Sequence, residues 1–369
     1  MPIYMDRHIV PGIEAKHAAE AHRADLKIQD EFGCRCMTYW VDEERGSAFC
    51  LIDAPDEKAV KQMHDKAHGL MPHEIVQVNS NVVEAFLGRI ADPEGYMDLS
   101  EDLKIFNDPA FRIILVSRTT DMGLLQYRFG KAKAAQFLAL YHEMIRRELQ
   151  NHEGREVELK GQAFIASFVS VTQAVDCAVA VRKGMHIAGE LINLRIGINA
   201  GMPVEKSEEL FGETIKMAGY LCQIGDENQI VLASVIKEIY KDVRQQNVNN
   251  RQQLKLINEA DENFLQLWMD TLSEKWNDPD TEVGDFCEAL SMSKSKLYRK
   301  STELTGMSPN EILREYRLQK SLELLKTDRN ISQTTFDCGF SSPSYFTRCF
   351  VQRFDLQPKA YIKIMNSGI

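Results

Sequence analysis

The chain has no apolar run of the roughly 18 residues that a membrane-crossing helix needs, so no membrane partner is expected. Its opening stretch, MPIYMDRHIVPG, holds no continuous apolar segment, so no signal peptide is expected. There is no C-x-x-C pair, and the eight cysteines are scattered. Cys34 and Cys36 stand too close to pair readily with each other. Together these absences predict a reduced, cytoplasmic setting. Basic residues are in deficit too. The net charge of −10, taken over the whole chain, argues against a nucleic-acid partner.

The regional charge says otherwise. From Ser291 to the end, 13 Lys and Arg face 7 Asp and Glu, giving +6 and leaving −16 for the remainder. A basic end on an acidic body suits a DNA-binding module attached to a sensing or assembly module. At 369 residues the chain has room for two or three domains, each with its own core.

The most informative stretch is Ile331 to Ile362. It reads as two short helices around a tight turn. Gly339 stands where a left-handed residue stops a helix. Ser342 caps the next helix, with Pro343 at its first position. Phe346, Phe350 and Phe354 recur every four residues and give that helix one buried face. Ser344, Tyr345, Arg348 and Arg353 lie off that face. Such a pair can offer a helix to a DNA major groove. The words GFSSPSYFTRCFVQRFDLQPKAY resemble the second helix-turn-helix of AraC-type transcription regulators. The family joins it by one long helix to an upstream pair, and the matching segments are present. Thr281 to Leu290 and Ser293 to Leu304 are expected to form that pair. Ser308-Pro309-Asn310-Glu311 opens a joining helix as a capping box. Leu318, Leu322 and Leu325 give that helix a core-facing stripe.

Double-stranded DNA is therefore the expected macromolecular partner. Two recognition helices on one stiff helix would sit about 34 Å apart, one turn of the duplex. With Leu297 facing the core, Ser295, Lys296 and Arg299 point outward in the first. Ser342, Ser344, Tyr345, Thr347 and Arg348 do so in the second. Arg299 and Arg348 suit bidentate contact to guanine.

The first 90 residues read as strand, helix, strand, strand, helix, strand, the order of a ferredoxin-like split βαβ sandwich. Six of the nine histidines fall here. His64 and His68 are four apart on a helix, a spacing that suits two imidazole ligands but is also common on wet surfaces. His22 and Asp25 share a helix face, and Cys50 adds a thiol. His22, Cys50, His64 and His68 are the candidate ligands for nickel or another divalent transition metal. The words YMDRH, TYWVDEERGSAFCL and HDKAHGL resemble a family of small ferredoxin-like proteins with nickel-binding members. That resemblance implies a metal or small-ligand site, or else a dimerisation role.

Residues 91–250 carry LRIGINAG, ELFGETIKMAGYLC and AVDCAVAVRKG, which resemble the class III nucleotide cyclase domain. The resemblance implies two metal-binding carboxylates, but Arg118 and Gln162 stand at those positions. It implies an asparagine and an arginine where Lys216 and Tyr220 stand, and a purine-selecting lysine where Glu158 stands. An arginine at the first position would repel the cation that the chemistry needs. The domain therefore reads as a pseudo-cyclase without catalytic residues. Asp121 as a displaced ligand would break the match to the opening strand. Val243 to Gln253 reads as a spacer, and Glu262 to Trp276 as the first helix of the DNA-binding domain.

The expectation is a multidomain chain, and no enzymatic activity is expected of it. It comprises an α+β ferredoxin-like domain (1–90), an α+β cyclase-like domain (91–250) and an all-α double helix-turn-helix domain (260–369). Its expected role is that of a DNA-binding transcription regulator, active as a homodimer, controlled by a metal ion or small effector. The rivals are an active cyclase coupled to DNA binding and a nickel-binding protein with a DNA-binding tail.

Overall fold

The computed structural model describes residues 1–94, 97–98, 103–160, 163–187, 193–205, 209–225, 229–239 and 254–366. The spacer over 243–253 and the position of Gln162 lie outside the described residues.

The N-terminal unit runs β1 (Ile3–Ile9), α1 (Ala15–Ile28), β2 (Arg35–Asp42), β3 (Ser47–Asp53), α2 (Glu57–Ala67) and β4 (Glu74–Val78). The strands form an antiparallel sheet in the order β2-β3-β1-β4, the ferredoxin-like arrangement. α1 stops at Ile28, and a short 3-10 turn covers Gln29–Phe32 before left-handed Gly33. Alternation along the strands sorts the two faces. Met5, Phe49 and Leu51 point away from the helices, while Tyr4, Asp6, Cys50 and Ile52 point toward them. A helix that the sequence pattern did not reveal, α3 (Ser80–Leu87), packs Val83 and Phe86 against the helix-free face.

A two-stranded hairpin, β5 (Met97–Asp98) and β6 (Leu103–Lys104), comes next, and Leu103 and Phe106 are buried under α1. The second sheet follows, built with β7 (Arg112–Arg118), α4 (Met122–Phe129), α5 (Lys131–Asn151), β8 (Arg155–Lys160), β9 (Ala163–Phe168), α6 (Val171–Ile187), β10 (Arg195–Gly201), α7 (Gly212–Ile224), β11 (Ile230–Leu232), α8 (Ser234–Ile239) and β12 (Leu254–Leu256). Its strand order is β12-β11-β10-β7-β9-β8. Ile113 and Leu115 face the helices, while Ile114 and Val116 face the first sheet. Gly197 lets α7 approach β10, because a Cβ there would stand 2.0 Å from the Ala218 carbonyl.

Strand β12 lies just past the expected spacer, in a segment to which the sequence reading gave no element. It pairs in parallel with β11 through Leu254, Lys255 and Leu256. Three residues carry too little periodicity to announce a strand. α9 (Glu259–Lys275) follows, with Trp268 fully buried. Its apolar face packs on the middle unit as well as on the helices after it.

Those helices are α10 (Val283–Ala289), α11 (Lys294–Thr305), α12 (Pro309–Leu324), α13 (Ile331–Asp337), α14 (Pro343–Phe354) and α15 (Pro358–Asn366). Ser308 and Glu311 close a reciprocal capping box on α12. Gly339 has φ +70°, and a Cβ there would meet the Trp276 carbonyl at 2.9 Å. Phe346, Phe350 and Phe354 are buried with Leu318, Leu322 and Leu325 of the α12 stripe.

Candidate functional site

The helical unit presents two exposed polar helix faces. Ser293 accepts a hydrogen bond from Lys296 N and starts α11. Leu297 then turns into the core, leaving Ser295, Lys296 and Arg299 exposed. Ser342 starts α14 in the same way, its hydroxyl accepting from Tyr345 N. Its oxygen is thus engaged in the cap. Ser344, Tyr345 and Arg348 are exposed, and Thr347 is half-buried. The Arg348 guanidinium lies 5.2 Å from the Tyr345 ring centre, so the two side chains share one surface. Arg353 does not belong to that surface: it donates to Glu315 on α12 at 2.7 Å.

The second feature is buried under α1 and α2. Period-two alternation puts Asp6 and His8 on the helix-facing side of β1. The β1–β3 register sets Asp6 opposite Cys50. α2 then lowers His64 onto them. Ligand atoms of Asp6, His8, Cys50 and His64 lie within 4.8 Å of one another. His64 Nε2 stands 2.7 Å from Asp6 Oδ2. A second group shares His64: its Nδ1 is 3.1 Å from Asp25 Oδ1 and 3.1 Å from His68 Nε2. Of the four expected ligands, then, Cys50 and His64 come together, with His68 on the far side of His64. His22 stands apart, its Nε2 3.6 Å from Asp92. It lies on the α1 face toward Tyr39. Sequence reasoning did not single out Asp6 and His8, which the fold brings into this cluster. The signal available was their i, i+2 spacing in a strand.

The charges are tightly arranged. Burial opposes charge on His64, but Asp6 and Asp25 overcome it and raise its pKa to about 10. Burial alone would raise Asp6; the charges and hydrogen bonds of His8 and His64 hold it well below the usual carboxylate range. Burial and then the neighbouring Asp6 push the Cys50 thiol well up. His8 Nε2 lies 3.4 Å from Asp6 Oδ1, and its buried Nδ1 has no hydrogen-bond partner. A buried imidazole with an unused ring nitrogen, beside a thiol and a carboxylate, fits a divalent transition metal as ligand set.

In the middle unit, Arg118 is exposed at the end of β7. Lys216 and Tyr220, one turn apart on α7, both turn to Asp270 of α9. Lys216 Nζ lies 2.9 Å from it, and the Tyr220 hydroxyl donates to it at 2.8 Å. Asp121 caps α4.

Comparison with known proteins finds matches to separate parts of the chain. Residues 286–364 match the family described as "Helix-turn-helix domain". Residues 4–78 match the one described as "Nickel responsive protein SCO4226-like". Over 77 residues the chain is 40% identical to the "HTH-type transcriptional activator RhaR" of Pectobacterium atrosepticum, covering 21% of this chain and 27% of that protein. The crystal structure of SCO4226 from Streptomyces coelicolor A3(2) is 31% identical, with a TM-score of 0.20, covering 21% of this chain and 94% of that one. An adenylate/guanylate cyclase/hydrolase from Silicibacter pomeroyi covers 37% of this chain and 83% of its own, at 22% identity and a TM-score of 0.33. The chain spans about a third or less of the length of the curated relatives it matches. The class is thus a multidomain chain ending in an AraC-type helix-turn-helix domain. A segment matching the nickel-responsive SCO4226-like model, residues 4–78, precedes that domain.

Proposed function

We propose that this chain is a sequence-specific DNA-binding transcription regulator whose reading head is set by a metal ion or small effector at the parts that precede it. The observation that carries the reading is the pair of exposed polar faces on α11 and α14, mounted on the two ends of α12. Arg299 and Arg348 would read base edges, and Lys296, Ser295, Ser344 and Thr347 would hold phosphates. Ser342 would fix the N-terminus of α14, whose free N–H groups suit a phosphate oxygen. Tyr345 would orient Arg348 through its ring. The domains are assigned to residues 1–90, 91–250 and 260–369, with α9 as a shared strut. A homodimer would present two such heads.

The metal, nickel or a similar divalent ion, would be held by Asp6, His8, Cys50 and His64. When bound it supplies positive charge that favours the thiolate and neutral imidazoles. The chain's own part is to link β1, β3 and α2 at one point. The His64 imidazole would then be neutral, with one ring proton left for a neighbouring carboxylate. A ligand biases the reading head only by favouring one of two arrangements, and DNA must then alter ligand affinity in return.

The middle unit we read as catalytically silent. Arg118 stands at a position where the cyclase chemistry requires a carboxylate. Lys216 and Tyr220 are both bound to Asp270. Incubation with ATP or GTP and manganese should yield no cyclic nucleotide.

The deciding experiment is retention of genomic DNA fragments by the full-length protein, with and without nickel, followed by sequencing. Fragments sharing two half-sites about one helical turn apart support the reading. Retention without a shared motif, lost at modest salt, sinks it.

A further inference from the structure

The segment 254–262 touches the middle sheet on one side and α11 on the other. Toward the sheet, β12 pairs in parallel with β11, Ile257 N donates to the Leu232 carbonyl at 3.2 Å, and Glu262 accepts from Ser234 N at 2.7 Å. Toward α11, Lys255 Nζ donates to the Leu304 carbonyl at 2.6 Å. Leu304 is the next-to-last residue of that helix, where the final carbonyls have no partner along the helix itself. A cation there also complements the negative end of the helix dipole. Further along the segment, Asp261 pairs with Lys300 of α11. Asn258 holds that carboxylate in place. Its side chain donates to the other oxygen at 2.8 Å and accepts from Asp261 N at 2.9 Å. The second recognition helix is held differently, through the pair of Arg353 with Glu315 of α12.

Neither lysine belongs to the outward face of α11. Lys255 lies on β12, and Lys300 lies about 100° round the helix from Arg299. Both are half-buried. They grip the C-terminal half of α11 and leave its tip, with Ser295 and Lys296, projecting outward. At 1.5 Å per residue that tip stands roughly 14 Å from Leu304, so a tilt of about 10° at the anchors swings it by roughly 2 Å. A displacement of that size breaks a hydrogen bond to a base edge. We propose that 254–262 is a brace that sets the angle of α11 against the middle sheet, with Lys255 and Lys300 as positioning residues for the first reading head. The brace fixes the phase between the two half-sites. One added base pair moves a half-site by about 3.4 Å and turns it by about 35°. A braced α11 does not follow that movement. The effect on DNA rests on the reading given above; the mechanical link does not.

The test uses the full-length Lys255→Met, Lys300→Met double variant, which keeps the apolar stems and removes both charges. Spin labels carried on ketone-bearing residues at Gln150 of α5 and Lys294 of α11, both exposed, report the distance between the middle unit and the first head. Expected are a narrow distance distribution in the parent and a broad one in the variant, with circular dichroism unchanged. Without labels, one base pair inserted between the retained half-sites should weaken the parent about tenfold and the variant about threefold or less. Base preference within each half-site should stay the same. Asp261→Asn should relax the spacing in the same direction. Equal widths in parent and variant, or broadening with the parent's spacing penalty retained, overturns the proposal. So does an Asp261→Asn variant that binds every fragment more tightly with a salt slope steeper by about one, because Lys300 was then withheld from a phosphate. If the parent retains no DNA motif, the regulator reading fails and the distance measurement alone decides the brace. Retention of a motif with equal widths gives the reverse.

Discussion

Tyr361 donates its hydroxyl to Asp121 Oδ1 at 2.9 Å, joining the last helix of the chain to the start of α4. The same carboxylate accepts from Lys326 Nζ at 2.7 Å and from the backbone of Gly123 at 2.8 Å. Asp121 is buried. One side chain thus caps a helix of the middle unit and anchors α12 and α15 of the reading unit. This gives Asp121 a structural role. Gly123 completes the contact: a Cβ there would press to 2.5 Å from the Tyr361 ring.

Tyr361→Phe removes one hydrogen bond to an ionised carboxylate, which is worth about 1.5–3 kcal/mol. The expected result is faster amide exchange in α4 and α15, with the four-stranded sheet unaffected. Lys326→Met should act on the same two helices more weakly, because Lys326 keeps partial contact with water. Unchanged exchange in both variants would mean that apolar packing alone docks the two units.

Phe350 is fully buried and stacks edge-on between Phe346 and Phe354. Phe350→Ala should cost about 3–5 kcal/mol, the range for removing a core aromatic ring. Calorimetry should show early loss of the helical unit, and DNA retention should fall with it. A stable variant with intact retention would contradict this core assignment.

For metal binding, the geometry separates residues that share the same segment. His8→Ala and Cys50→Ser should each weaken nickel binding at least about tenfold, the scale of losing one well-placed ligand interaction. His22→Ala should leave affinity unchanged, since His22 faces Asp92 and Tyr39. Calorimetric titration of each variant checks this, with circular dichroism as the control for folding. Equal losses in all three would place the ion elsewhere.

How much of this was legible in the sequence depends on the range of each signal. The helix-turn-helix unit is built from local marks. Ser342, Pro343 and Gly339 declare their roles through caps and a left-handed stop, and the Phe346, Phe350, Phe354 stripe declares its face. The ferredoxin-like order was legible for the same reason. The buried cluster was only half legible. Cys50 and His64 were chosen by residue type, but Asp6 enters through a strand register spanning 44 positions. His22 was chosen from the same composition and points elsewhere. Strand β12 and the Asp121 anchor arise from contacts distant in sequence, which no local periodicity encodes. The shared position of α9 escaped notice because one apolar face serves two units.

The last prediction concerns how the reading faces divide their work. Arg299 and Arg348 are exposed, one on each recognition helix, and the reading assigns both to base edges. Arg299→Ala and Arg348→Ala should each cost about 1–3 kcal/mol at a matched site and relax preference at one position of one half-site. Lys296 is assigned to phosphate, so Lys296→Ala should weaken matched and unmatched fragments alike and reduce the salt slope by about one. Competition binding on matched and singly altered fragments, repeated at several salt concentrations, separates the two behaviours. If Arg348→Ala weakens every fragment equally, Arg348 holds phosphate instead, and the α14 face positions the chain on the duplex without reading it.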